Sequence, residues 1–167
     1  MSRPAGSTAS ASSAPAVPPA AAPAVSVRST FQYGALTDRV SAGGRVLVIR
    51  YWTTQAPADW SGSVPPVVQF SAQLAGGDAD HGVRLTRVLA TLGRAGATGR
   101  VLINDTSQPV LTPPYSYGNV LQLPAATPAT DQLSVEFDVL IQTAPGAATY
   151  YREVYLDILP LSTREVS

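Results

Sequence analysis

The chain has 167 residues and a formal net charge of zero, with 13% of residues charged and every one of its eleven cations an arginine. That balance excludes a bulk electrostatic pull toward nucleic acid or an anionic membrane. The absence of cysteine excludes disulfide frameworks, thiolate metal sites and cysteine nucleophiles, and no apolar run approaches the roughly 18 residues that a membrane-spanning helix needs.

Residues 1–25 hold nine Ala, five Ser and five Pro, with Arg3 the only charge. Prolines at these intervals forbid a continuous helix, and side chains this small bury too little area to offset the entropy of ordering. The segment reads as a flexible N-terminal arm, serving either as a plain linker or as an arm ordered by neighbouring subunits. Residues 26–167 then form one domain large enough for a sizeable core.

Within that domain, residues 26–33 can extend as a first strand that Gly34 ends, and residues 45–54 (RVLVIRYWTT) are β-branched and aromatic behind Gly43 and Gly44. After a Pro- and Gly-rich loop, residues 67–74 read as a strand that starts at a sheet edge, because Pro65 and Pro66 precede it. Residues 82–92 have leucines at helical spacing, yet Val83, Leu85, Arg87 and Leu89 alternate with Arg84, Thr86 and Val88 between two glycines, so a strand is expected. Short strands follow at 100–104 and 117–123. Residues 132–161 close the chain. Apolar Leu133, Val135, Phe137, Val139 and Ile141 alternate with polar residues. Beyond a Pro145-Gly146 connection, Val154, Leu156 and Ile158 oppose a polar face of Tyr151, Glu153, Tyr155 and Asp157. By pattern alone this is a paired hairpin. About eight strands, frequent turn signals and no amphipathic helix predict an antiparallel β-sandwich or barrel.

Chemistry is sparse. The single histidine, His81, lies in the loop GGDADHG, where Asp78, Asp80 and His81 could offer two carboxylates and an imidazole to a divalent ion; Gly and Asp also suit such a loop for its turns alone. No nucleophile elbow, phosphate loop or two-histidine helix motif is present. Glu136/Asp138 and Glu153/Asp157 sit on strand faces, where solvation or a subunit contact is the plain role for paired acids. Tyr151 and Tyr155, rings with polar tips on the polar face of the strand, suggest with Glu153 and Asp157 a subunit interface, unless they pack within their own subunit. Trp52, Trp60, Tyr115 and Tyr117 are most simply core or loop-packing residues, and the first three are also the candidate stacking platform of a secreted carbohydrate- or ligand-binding module. An enzyme using the Asp78 and Asp80 carboxylates is a third alternative.

Several short stretches fall in a telling order. Phe31-Gln32 stands at the entry to the first strand after the small-residue arm, and His81 precedes the strand at 83–92. Residues 101–104 run into SQPVLTPP at 107–114, with Tyr117-Gly118 beyond. Gln142 to Pro145 lead to a last strand closing on Leu159 to Thr163. In this the chain resembles the coat proteins of tymoviruses, marafiviruses and maculaviruses, small non-enveloped RNA viruses. The resemblance implies an eight-stranded antiparallel jelly-roll β-sandwich, with its last two strands in opposite sheets and a flexible N-terminal arm. It implies a capsid protein without catalysis, a homo-oligomer of many copies closing an icosahedral shell around viral genomic RNA, found in the virion and, before assembly, in the host cytoplasm. Arg3 and Arg28 are then the candidate nucleic-acid contacts. So few cations in the arm imply weak, non-specific RNA binding, with a divalent cation or polyamine balancing charge at subunit contacts or on the RNA.

Overall fold

The alternating pattern resolves into nine strands in a computed structural model that describes residues 24–27, 34–55, 60, 64–77, 79–125 and 131–161. They are β1 (Ala24–Val27), β2 (Ala35–Ala42), β3 (Arg45–Thr53), β4 (Val67–Ala75), β5 (Val83–Arg94), β6 (Arg100–Asp105), β7 (Ser116–Gln122), β8 (Asp131–Gln142) and β9 (Tyr150–Pro160). No helix occurs among the described residues. Of the expected arm, only Ala24 and Val25 lie within them, where they open β1.

Two sheets form, in the orders β1-β9-β8-β5-β6 and β2-β3-β4-β7. The eight strands β2 to β9 pair antiparallel with their neighbours, and β1 adds to the outer edge of β9 in parallel. Consecutive strands β4 and β5 thus lie in opposite sheets, as do β7 and β8, and each pair is joined to the other through β4–β7 and β5–β8. This interlocked crossing is a Greek-key device, and it holds the two layers in one topology.

One strand escaped the sequence reading. β2, ALTDRVSA, looks like a polar linker because its inward row, Leu36, Asp38, Val40 and Ala42, contains a carboxylate. It forms because Gly43 and Gly44, at φ 53° and 77°, turn the chain back onto β3 in an eight-residue ladder, at whose far end the Gly34 carbonyl accepts the Thr53 amide at 2.7 Å.

The core lies between the sheets. Leu47, Ile49, Tyr51, Phe70, Leu74 and Leu121 of the four-stranded sheet face Leu85, Val88, Val135, Phe137 and Val139 of the five-stranded one, all essentially inaccessible. Phe70 is the hub: its ring meets Phe137 edge-on across the layers at 6.0 Å and 78°, and tilts against Tyr51 and Tyr117 at 6.0 and 5.9 Å. Edge-to-face rings add attraction beyond the area they bury. Between β6 and β7 the chain crosses the start of β5, where the Leu85 amide donates to the Pro109 carbonyl at 3.0 Å and the Leu111 amide to that of Val83 at 2.9 Å, placing Leu111 as a buried plug.

Two expectations about the last strands are corrected. The resemblance placed them in opposite sheets; β8 and β9 instead pair continuously from Gln132↔Pro160 to Gln142↔Tyr150, as the bare pattern had indicated. The connection is folded back on itself by Thr143 amide to Thr149 carbonyl (3.1 Å) and Ala147 amide to Ala144 carbonyl (3.0 Å), which returns β9 along the edge of β8. The facing of β9 is also reversed. Tyr155, Asp157 and Leu159 point into the core, while Val154, Leu156 and Ile158 form the outer, half-buried row. Directly opposite residues share a face, so pairing of Tyr155 with Phe137 and Asp157 with Val135 commits them to the inner side.

Phe137→Ala should therefore cost about 3–5 kcal/mol in a denaturant titration, the range for a fully buried Phe whose neighbours cannot collapse into the space. A loss below about 1 kcal/mol would contradict the packing across the two layers.

Candidate functional site

The residues expected at a subunit interface separate. Tyr155 and Asp157 are fully buried within their own chain, Glu153 is half-buried, and Tyr151 remains 37% exposed at the end of β9. Tyr155 donates its hydroxyl to Glu153 Oε2 at 2.7 Å, and Tyr51 of β3 donates across the layers to Asp157 Oδ2 at 2.8 Å. At the open end of this row Arg45, itself buried, donates from Nη1 to the Tyr151 hydroxyl at 2.7 Å. Gly43, at φ 53°, closes over the Glu153 carboxylate so tightly that any side chain there would collide with it. The row is a polar seam where the β2–β3 end of one sheet meets β9 of the other.

Its electrostatics follow from burial. Desolvation, then the Asp157 charge and the hydrogen bond to it, push the Tyr51 hydroxyl well above its ordinary value. Tyr155 is raised too, first by burial and then by its bond to Glu153. Neither hydroxyl can serve as a base or nucleophile near neutral pH. Sealed between the sheets, the Tyr51–Asp157 pair offers no surface to a substrate, so its chemistry is structural. Sequence reasoning found Tyr155 and Asp157 but on the wrong face, and it missed Tyr51 and Asp38, which are buried beside them. A carboxylate in the inward row of an alternating strand is the signal that could have found Asp38.

A second cluster lies on the outer face of the five-stranded sheet. Asp138 is only 4% exposed, covered by Arg152, whose Nε donates to it at 3.1 Å, and by Arg87 Nη1 at 3.9 Å; Arg87 also lies 3.7 Å from Glu136. The Glu136/Asp138 pair is thus an ion-pair network across three strands, not two free carboxylates. On the opposite, inner side, at the end of β6, Asp105 accepts from the Tyr117 hydroxyl of the other sheet at 2.7 Å and from the Ser107 amide at 2.8 Å, which holds its carboxyl below the usual range. Burial pushes Tyr117 up to about 12, with the Asp105 charge adding to the effect.

Of the expected metal ligands, Asp80 is exposed and His81 half-buried, and Asp78 lies outside the described residues. Among the described residues no three His, Asp or Glu side chains gather as a metal site. Arg3 and Arg28 likewise lie outside the described residues. The aromatic candidates divide: Trp60 is buried, its indole N–H donating to the Gln55 carbonyl at 3.2 Å, whereas Trp52 and Tyr115 are exposed at 38% and 62%. Trp52 projects from β3 on the outer face of the four-stranded sheet.

No protein-family model matches the chain, and no curated protein matches it significantly.

Tyr51, Tyr117 and Tyr155 keep their protons in the folded chain above pH 10, where an unfolded tyrosine loses its own. Stability that is intact below pH 10 should fall between pH 10 and about 12. A spectrophotometric titration should show these tyrosines ionising late and together with unfolding; smooth ionisation near pH 10 of all seven tyrosines would refute the buried seam. Tyr51→Phe, which deprives buried Asp157 of a donor, should lower stability by about 1–3 kcal/mol at neutral pH, measured by thermal or denaturant unfolding.

Proposed function

We propose that this chain is a structural subunit that assembles with copies of itself into a closed icosahedral shell around RNA, as the coat proteins it resembles in sequence do. The observation that carries the reading is the outer row of β9. Val154, Leu156 and Ile158 stand in line, half-buried, on the outer side of an antiparallel sheet, where polar residues are the rule, and Leu89 lies beyond Glu136 on the same face. Contiguous apolar residues on an outer face mark a surface made for contact. Many modest, reversible contacts of this kind close a symmetric shell without any catalytic group. The shell reading shares with the eight-stranded jelly roll its eight antiparallel strands and two layers. It departs from it in the β8–β9 pairing, so the shell domain is proposed as a sandwich with its own strand order. In this reading the protein belongs to the virion, after a period in the host cytoplasm, with polyamines or divalent cations assisting a weak hold on RNA.

A second reading, a ligand-binding module, draws support from strand order. β3, β4 and β7 stand as strands A, B and E of an immunoglobulin-type sandwich, and β5, β8 and β9 as C, F and G, with β6 moved to the second sheet. That order recurs in modules that bind partners outside cells, and Trp52 and Tyr115 would be its exposed aromatic contacts.

Electron microscopy and light scattering on the full-length chain separate the two. Uniform particles of roughly 20–35 nm are the expected result, the size at which about 60–180 domains close symmetrically. Leu156→Arg should prevent their formation while leaving circular dichroism unchanged, because the side chain points outward. A stable 17.3 kDa monomer across salt and pH would sink the shell reading and leave the module.

A further inference from the structure

The outer face of the four-stranded sheet carries cations without acids. Across its four strands the outward rows read Ala35, Trp52, Gln69, Val120, then Thr37, Arg50, Ser71, Gly118, then Arg39, Val48, Gln73, Ser116. Asp38, between the two row ends in sequence, points through the sheet into the inner layer, where it is 1% exposed. Arg39 and Arg50 are exposed, and neither has a carboxylate partner among the described residues. They stand diagonally on neighbouring strands of one face, near enough to repel in the absence of an anion. On the five-stranded sheet Arg87 and Arg152 are matched by Glu136 and Asp138, while Arg84 and Arg100 stand exposed without a carboxylate partner among the described residues. What sets the four-stranded face apart is that its described outward rows hold cations and no acid at all.

Trp52 gives that face an aromatic plane. Its ring borders a shallow cavity of about 280 Å³ lined by Ala35, Leu36, Thr37, Arg50, Tyr51 and Trp52. Rows two residues apart along a strand are about 7 Å apart, so ring, first guanidinium and second guanidinium follow in even steps. Stacking surface followed by cations is the arrangement that holds a single-stranded nucleic acid, base on ring and phosphates on arginine.

We propose that this face binds single-stranded RNA, with a base stacked on Trp52 and adjacent phosphates held by Arg50 and Arg39. Gln69, Ser71 and Gln73 on neighbouring β4 supply hydrogen-bonding groups that favour no base, so the contact is indifferent to sequence. A neutral sugar would leave both arginines unused. The choice of RNA rather than DNA rests on the shell reading; the aromatic and cationic geometry does not. On that reading the four-stranded sheet lines the interior, and the apolar row of β9 on the opposite sheet is left for contacts between copies.

The test is fluorescence anisotropy with a labelled oligouridylate of about 12 nucleotides, on the full-length chain over a salt series. Binding is expected near 50 mM salt and should weaken as salt rises. Trp52→Ala should weaken it roughly 5- to 150-fold, the value of one stacked base. Arg39→Gln with Arg50→Gln should reduce the log–log salt slope by about 1.4, two single-strand phosphates' worth. Arg84→Gln with Arg100→Gln, which removes the same charge from the other sheet, should leave the slope unchanged. Equal loss in the two double variants, wild-type affinity in Trp52→Ala, or absence of binding would overturn the proposal. So would heparin binding with the same dependence on Trp52, which would make the occupant an anionic polysaccharide. Shells that form while binding ignores Trp52 refute this face alone; a monomer that binds RNA through Trp52 refutes the shell alone.

Discussion

Two residues that face each other in an antiparallel ladder must share a side of the sheet, and the unbroken ladder between β8 and β9 applies that constraint over eleven pairs. The apolar odd row of β8 has only one place to go, into the core. Its partners on β9 must follow, including Glu153, Tyr155 and Asp157, which composition alone would leave in water. The polar seam is the consequence. Once a carboxylate is carried between the layers it needs donors there, and Tyr51 reaches across from β3 to supply one. The same constraint turns Val154, Leu156 and Ile158 outward. One register thus accounts both for what is costly inside this sandwich and for what is unusual outside it.

The layers are held by different means at different depths. Around Phe70 the contact is aromatic and aliphatic, and its worth lies in area removed from water and in ring geometry. At the β9 side it is hydrogen-bonded and charged, and there the gain is orientation: a tyrosine and an aspartate that must meet permit less sliding of one sheet over the other than leucines do. The interlocked strand pairs β4–β7 and β5–β8 carry the same restriction in the backbone.

Much of this was legible beforehand. Strands β3, β4, β5, β6, β7 and the β8–β9 hairpin announce themselves by alternation and by bounding glycines and prolines, so the all-β class followed directly. β2 did not, because Asp38 occupies an inward position and interrupts the apolar row that defines a half-buried strand. Nor did the facing of β9: both of its rows are plausible inner faces, three aliphatics against a Tyr, an Asp and a Leu. Only the partner strand decides, and pairing is a long-range fact that a local window does not hold. Trp52 read most simply as a core or loop-packing ring and is instead exposed on an outer face, and the company it keeps comes from four strands distributed over residues 35–122, an adjacency that emerges only with the sheet.

The parallel pairing of β1 with β9 has a bearing on what the sheet leaves bare. Without those four residues, one margin of the five-stranded sheet would be the bare backbone of an eleven-residue strand, a ready template for any extended peptide. β1 covers the stretch from Tyr155 to Ile158 with partners Ala24 to Val27. Because those bonds are made by main-chain atoms, they set a requirement for extended backbone and direction rather than for particular side chains, so the edge is guarded by geometry and not by sequence.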